Sequence, residues 1–352
     1  MFRKIPFVKR ELEITETLPG WFNGPGFPVK NTPVTCRENT ISLFYEKKPF
    51  WLPTGSEIRM IGPASYNDNL GRGMGKDIKD AFGIEWEWIP AVGGSIVRPG
   101  APLMTDVNEW RDIIKFPDID SWDWESDAQK LKIDGRFSCQ VSLINGFLFE
   151  RLISFMDFAP AAMALIDEDQ QDAIKDLFQA TTDFACKLVD KILEYWPMLD
   201  GFNIHDDWGA QKAPFFSKEI AYEFFVPYMK QLNDHIHSKG RFVTLHSCGH
   251  VDSRVECFID AGFDSWDPQL MNDIHMLYEK YGDKIILGVF PDKFDPETTS
   301  EEEQRQRARD FVDEFGKPGK PCILSHYGSY ALTPAFTEEL YTYSRKHFLE
   351  IN

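Results

Sequence analysis

His246 and Cys248 stand two residues apart at the end of the apolar run Phe242-Val-Thr-Leu245. In an extended chain, side chains at i and i+2 point to the same side. An imidazole and a thiol therefore converge where this strand runs out into Ser247-Cys248-Gly249. These are zinc donors, and a catalytic zinc site needs at least three protein donors with one position left open. A lone His-x-Cys is more often a core histidine beside a small buried cysteine. Its place at a strand tip, among other polar strand ends, favours the metal reading.

The third donor is ambiguous between residue type and position. Cys322 fits by type, but it begins its strand, four residues (roughly 13 Å) from the far end. His326, at that far end, is the better geometric choice, with Cys322 as the alternative. Asp267 could complete the metal sphere or orient a ligating imidazole; it could also only stabilise the turn before Pro268. Asp206 and Asp207 follow a strand and read as a carboxylate pair for metal or substrate, or as caps of the next helix. The three aspartates are the candidate catalytic acids. Asn145, Gln211 and Tyr327, also at strand ends, are candidate substrate-binding residues. Other polar groups there include Glu150, His205, His250 and Asp264.

The elements that must position these groups alternate regularly. Strand patterns at residues 137–144, 199–205, 242–246, 262–266, 284–290 and 322–326 are separated by helix patterns at 148–158, 170–195, 217–238, 253–260, 272–281, 299–315 and 334–348. Ile174, Leu177, Phe178, Phe184, Leu188 and Ile192 keep helical spacing in the longest of these. Ser217 is a candidate N-cap, and Pro227 should kink its helix. Ser300 and Glu303 form a capping-box pattern. More than 200 residues of strand–helix alternation predict an α/β fold with a parallel sheet, most economically a (β/α)₈ TIM barrel in a single domain over residues 1–352. Its site would lie at the C-terminal strand ends.

Residues 1–55 read as an irregular N-terminal arm, with Trp21, Phe22 and Phe27 interleaved and a short strand near 49–52. Residues 77–124 read as a rim or cap: a helix at 77–82, a strand at 85–89, a turn-rich stretch from Val92-Gly-Gly-Ser95 to Pro99-Gly100, and a short helix at 108–114.

Composition narrows the function classes. The chain has 352 residues, 43% hydrophobic and 14% aromatic, enough for a substantial core. A formal net charge of -18 offers no counter-charge to phosphates, so neither nucleic acid nor an anionic membrane is an expected partner. Six scattered cysteines form no disulfide framework; Cys139, Cys186 and Cys257 read as core or helix thiols. No run of about 18 apolar residues is present. The expected location is cytoplasmic, and a homodimer is compatible with all of this.

Several motifs in order carry a family resemblance: Asn203-Ile-His-Asp-Asp-Trp-Gly-Ala-Gln211, Ser217-Lys-Glu219, Phe225-Val-Pro-Tyr228, Leu245-His-Ser-Cys-Gly249, Ala261-Gly-Phe-Asp264 and Gly288-Val-Phe290. Over about residues 45–350 the chain resembles the uroporphyrinogen decarboxylase-like superfamily, in its cobalamin-dependent methyltransferase and O-demethylase branch. The resemblance implies a (β/α)₈ barrel, zinc, and a corrinoid carried by a partner protein. The arginine-rich N-terminal motif of the decarboxylases has no counterpart in residues 1–60, which argues against a porphyrinogen decarboxylase. In thiol-methylating relatives a His-x-Cys pair and a later Cys near the end of the last strand hold zinc; here that later position falls near His326 to Gly328.

The expected function is a zinc-dependent transfer of a methyl group from a small methoxylated, best an aromatic, compound to the corrinoid protein. One alternative runs from methyl-cobalamin to a thiol such as coenzyme M; another is a metal-free lyase or binding protein on the same barrel.

Overall fold

The computed structural model describes residues 4–19, 26–70, 75–91 and 94–352, without the side chains of residues 67–69. Trp21, Phe22, Val92 and Gly93 of the arm and rim lie outside the described residues. The chain packs as two compact units. The first comprises Met1–Arg59, Asp134–Cys139 and Asp264–Asn352; the second comprises Met60–Ile133 and Gln140–Phe263.

The arm is more regular than its composition suggests. Strands β1 (Ile14–Leu18) and β2 (Phe27–Lys30) pair antiparallel. A helix, Cys36–Ile41, follows with a reciprocal cap: Glu38 N donates to Thr35 Oγ1 (3.1 Å) and Thr35 N to Glu38 Oε2 (2.7 Å). That Thr-x-x-Glu signal is legible in the sequence. The strand expected near 49–52 is instead an irregular buried stretch, and β3 (Ile58–Ile61) comes later. The rim carries β4 (Ile78–Lys79), β5 (Glu85–Ile89) and β6 (Gly94–Val97) in an antiparallel sheet. The helix expected at 77–82 is not formed. Asp80 Oδ1 accepts from Phe82 N and Ile84 N at 3.0 and 2.9 Å, and Gly83 takes a left-handed φ of 85°, so a turn replaces it.

From residue 138 onward the predicted rhythm appears as β7 (Ser138–Asn145), β8 (Gly201–His205), β9 (Phe242–His246), β10 (Ser265–Trp266), β11 (Ile286–Val289) and β12 (Cys322–Leu324). With β3 at one edge these make a seven-stranded sheet whose strand order follows the chain. The β7–β8, β8–β9, β10–β11 and β11–β12 pairs are parallel. The protein is thus a mixed α/β fold of the TIM-barrel-like kind. An eighth strand is not found among the described residues, although Thr54 makes a parallel bridge to Leu324, and Leu324 N donates to Pro53 O at 2.9 Å.

The helix Gln171–Tyr195 buries all six apolar positions predicted for its inner face; each contributes roughly 1.5–3 kcal/mol relative to exposure. Ser217 caps its helix through Ile220 N. The turn Ala221–Phe225 is π-helical before Val226–Ser238 begins, which is how the chain accommodates Pro227.

In the first unit the arm is tied down by buried charge. Arg345 Nε reaches Glu11 Oε2 at 2.9 Å, and Tyr341 Oη donates to the same oxygen at 2.7 Å. Glu57, fully buried, accepts from Trp51 Nε1 and Thr54 N, while burial pushes its carboxyl up to about 7. A carboxyl raised on folding binds more protons in the native than in the unfolded state between its ordinary value and about 7. Stability therefore falls as pH rises through that window. We expect Glu57→Gln, which keeps an acceptor for Trp51, to remove on the order of 3 kcal/mol of this loss between pH 4.5 and 7.5. Urea denaturation across that range reads the slope, and an unchanged slope contradicts the assignment.

Candidate metal centre

β8 and β9 lie parallel with Gly201 opposite Phe242 and His205 opposite His246. Both strands show the same alternation. Phe202, Ile204, Val243 and Leu245 are buried, while Asn203, His205, Thr244 and His246 lie on the less buried face. Polar groups on that face satisfy one another: Asn203 Nδ2 donates to Thr244 Oγ1, which donates to Gln140 Oε1, each at 2.9 Å. The two histidines come one step further on, where both strands end. Their rings stack at 4.6 Å between centroids and 7° between planes.

Two residues beyond each histidine stands a second donor, Asp207 after β8 and Cys248 after β9. Donor atoms of His205, Asp207 and His246 all lie within 4.8 Å of one another. Asp207 Oδ1 is 4.0 Å from His205 Nε2 and 3.9 Å from His246 Nε2. His246 Nε2 is 3.1 Å from Cys248 Sγ. Donors at zinc distances on a tetrahedron sit roughly 3.3–3.7 Å apart. His205, Asp207 and His246 are thus close to the spacing one ion needs, with the Cys248 thiol beside His246, and imidazole, thiolate and carboxylate are all zinc ligands.

Behind the donors is a supporting carboxylate. Glu150 Oε2 lies 2.7 Å from His205 Nδ1 and accepts from Asp207 N at 3.1 Å. A carboxylate at one ring nitrogen fixes the tautomer and leaves the other nitrogen as the ligand. Glu150 reaches this place because β7 ends in an irregular turn, with a register shift before Asn145, a left-handed φ at Ile144 and another at Gly146. A Cβ on Gly146 would meet Glu150 Cβ at 2.9 Å. Arg151 clamps the turn through Asn145 O and Gly146 O, and its own charge is answered by buried Asp80 at 3.2 Å.

The loops after β8 and β9 are held against each other. Cys248 N donates to Asp207 Oδ1 at 2.7 Å and His250 N to Ala210 O at 2.9 Å. Gly249, with φ of 98°, comes so close to Gly209 that an added Cβ would stand 2.3 Å from its carbonyl carbon.

The two adjacent acids diverge. Asp207 turns to the donor cluster, whereas Asp206 is completely buried and accepts from Leu148 N, Phe149 N, Glu150 N and Trp208 Nε1. It satisfies the first N–H groups of the helix Phe149–Met156 that carries Glu150, an earlier helix and not the next one in the chain. Burial first, and then the charge of Glu150, push its carboxyl up to about 7. Asn145 ends β7 opposite His205, and Gln211 is exposed on the loop after β8.

The remaining candidates belong to the first unit. His326 follows β12 on a short 3₁₀ segment, with Nδ1 2.8 Å from Asp267 Oδ2, and the tilted Tyr327 ring packs against it. Asp267 thus orients an imidazole. Cys322 is buried with Sγ 3.2 Å from Phe315 O, and burial pushes its thiol far up; these are the surroundings of a core thiol. His205 and Glu150, both among the polar strand ends, were given no role by sequence reasoning. Their importance depends on inter-strand register and on the β7 turn, which a single strand's pattern does not reveal.

No protein-family model matches the chain, and no curated protein matches it by sequence. In structure it is similar to a methyltransferase from Methanosarcina mazei, with a TM-score of 0.58 and 13% identity over 90% of this chain and 99% of that one. Identity that low speaks for the fold alone. An IolI protein solved with a bound zinc atom overlaps 66% of this chain and 82% of its own at 14% identity, but a TM-score of 0.30 carries no argument. Among the described residues no helix is long and apolar enough to cross a membrane.

Replacing Asp206 by Asn should destabilise the fold. Four donors face a group that would then offer one acceptor oxygen and an opposing N–H. We expect a loss of about 2–4 kcal/mol in denaturant unfolding; a loss below 0.5 kcal/mol would remove Asp206 from its supporting role.

Proposed function

We propose that the chain is a zinc-dependent methyltransferase that moves the methyl group of a small methoxylated aromatic compound to a corrinoid carried by a partner protein. The observation that carries the reading is the convergence of His205, Asp207 and His246, with Cys248 Sγ 3.1 Å from His246 Nε2, at the ends of two adjacent parallel strands. The shared fold with a methyltransferase and the resemblance of the strand-end motifs support it.

His205, His246 and Cys248 would hold the ion. Asp207 would be the weaker fourth donor, because its Oδ1 already accepts the Cys248 N–H. When bound, zinc supplies Lewis acidity at the ether oxygen, where negative charge develops as the methyl group leaves. The chain's own part is orientation. Glu150, 2.7 Å from His205 Nδ1, would hold that ring in one tautomer once the ion is bound, Asp206 fixes the helix that brings Glu150 in, and Gly249 lets the two donor loops meet backbone to backbone. One thiol among nitrogen and oxygen donors keeps a bound ion more electrophilic than several thiolates would. This favours acting on an ether oxygen over generating a thiolate nucleophile.

Metal content and turnover test the proposal together. Protein purified without chelator should carry one zinc per chain. His205→Ala, His246→Ala and Cys248→Ala should each fall far below that, while His326→Ala and Cys322→Ser keep it. Glu150→Gln should weaken zinc affinity roughly 10- to 100-fold in competition with a chelator. A screen of methoxylated aromatics with cob(I)alamin, followed by the cobalamin absorption spectrum, reads the transfer. Stoichiometric zinc in His205→Ala and Cys248→Ala would refute the ligand set. A zinc-loaded protein that changes the spectrum with no methoxylated aromatic would refute the substrate class.

A further inference from the structure

We propose that Asp267 and His326 form a second, metal-free site in the first unit that binds a small phenol by its hydroxyl group. His326 Nδ1 lies 2.8 Å from Asp267 Oδ2. A carboxylate there holds the ring proton on Nδ1 and leaves the Nε2 lone pair as an acceptor. The imidazole side chain is 63% exposed, and Nε2 makes no hydrogen bond among the described residues.

Asp267 packs directly against β11. A Cβ on Gly288 would stand 2.0 Å from Asp267 Oδ1, so glycine in β11 is what admits the carboxylate. Oδ1 itself is buried and accepts no hydrogen bond among the described residues. With no donor on Oδ1, the carboxylate's charge acts undiluted on the imidazole proton and strengthens Nε2 as an acceptor. Donation to the Asp267 carboxylate raises the His326 pKa above its ordinary value in the same sense.

A place for an aromatic ring adjoins the pair. The Tyr327 ring packs against His326 at 3.9 Å between ring centroids, tilted by 38°. It also lines a cavity of about 300 Å³ with Phe290, Pro291, Tyr330, Lys293 and Asn272. That volume is at the small end for ligand pockets, roughly 300–1,000 Å³. The Tyr330 hydroxyl is engaged with Pro291 O, and Phe290, Pro291 and Tyr327 offer ring faces and apolar edges beside the charged Asp273, Asp292 and Lys293. A flat ring suits such walls, and an O–H donor suits a free imidazole lone pair. A phenol combines the two. The site does not depend on the metal centre, so its test is separate from that of the methyl-transfer reading.

Isothermal titration calorimetry of the full chain at pH 8, zinc-loaded and zinc-free, with phenol and with anisole, isolates the hydroxyl. Phenol should bind about tenfold more tightly than anisole, the size of one hydrogen bond. His326→Leu should abolish that preference. Asp267→Asn presents an amide N–H to Nδ1 and moves the ring proton to Nε2; it should also remove the preference, and it serves where His326→Leu fails to fold. Tyr327→Ala should weaken both ligands alike. Equal affinities in the unaltered chain, no binding of either at millimolar concentration, or a preference that survives His326→Leu would each overturn the proposal.

Discussion

Parallel pairing of β8 with β9 in one particular register is the constraint on which the site depends. Because His205 stands directly opposite His246, each strand delivers an imidazole at the same level and a second donor two residues later. A slip of β9 by one residue against β8 would turn His246 to the opposite face of the sheet, among Phe202 and Ile204, and away from His205. The register is specified by that apolar face and by the polar ladder of Asn203, Thr244 and Gln140 on the other.

Charge buried beside the donors does most of the positioning. Asp206 uses its two oxygens on four donors and so anchors the start of the helix Phe149–Met156. Arg151, in the first turn of that helix, holds the carbonyls of the β7 turn and is balanced by Asp80, itself bonded to Trp86 Nε1 at 2.9 Å. Removing one partner of such a pair leaves an uncompensated buried charge, which costs several kcal/mol. The rim strands therefore matter to the centre without supplying a donor: Asp80 starts the turn after β4 and, through Arg151, fixes the turn that carries Glu150.

Much of the architecture was legible in the sequence, because alternating apolar runs and helical spacing report local burial directly. Every strand from β7 to β12 falls within the run that predicts it, give or take one residue. The His246–Cys248 convergence is likewise a property of a single extended strand. What the pattern left hidden is non-local. His205 gains its meaning from pairing with β9, Glu150 from a bulge and two left-handed residues after Leu143, and Asp206 from helix N–H groups nearly sixty positions away. The helix expected at 77–82 gave way because Asp80 bonds its own backbone two and four residues on. That competition is one a short polar side chain often wins.

The ligand set is the central claim, and zinc K-edge X-ray absorption of the zinc-loaded protein tests it most directly. The account predicts a single sulfur at about 2.3 Å together with nitrogen and oxygen donors at roughly 2.0–2.1 Å, with imidazole scattering from two rings. A spectrum with two or more sulfurs, or with none, would contradict it.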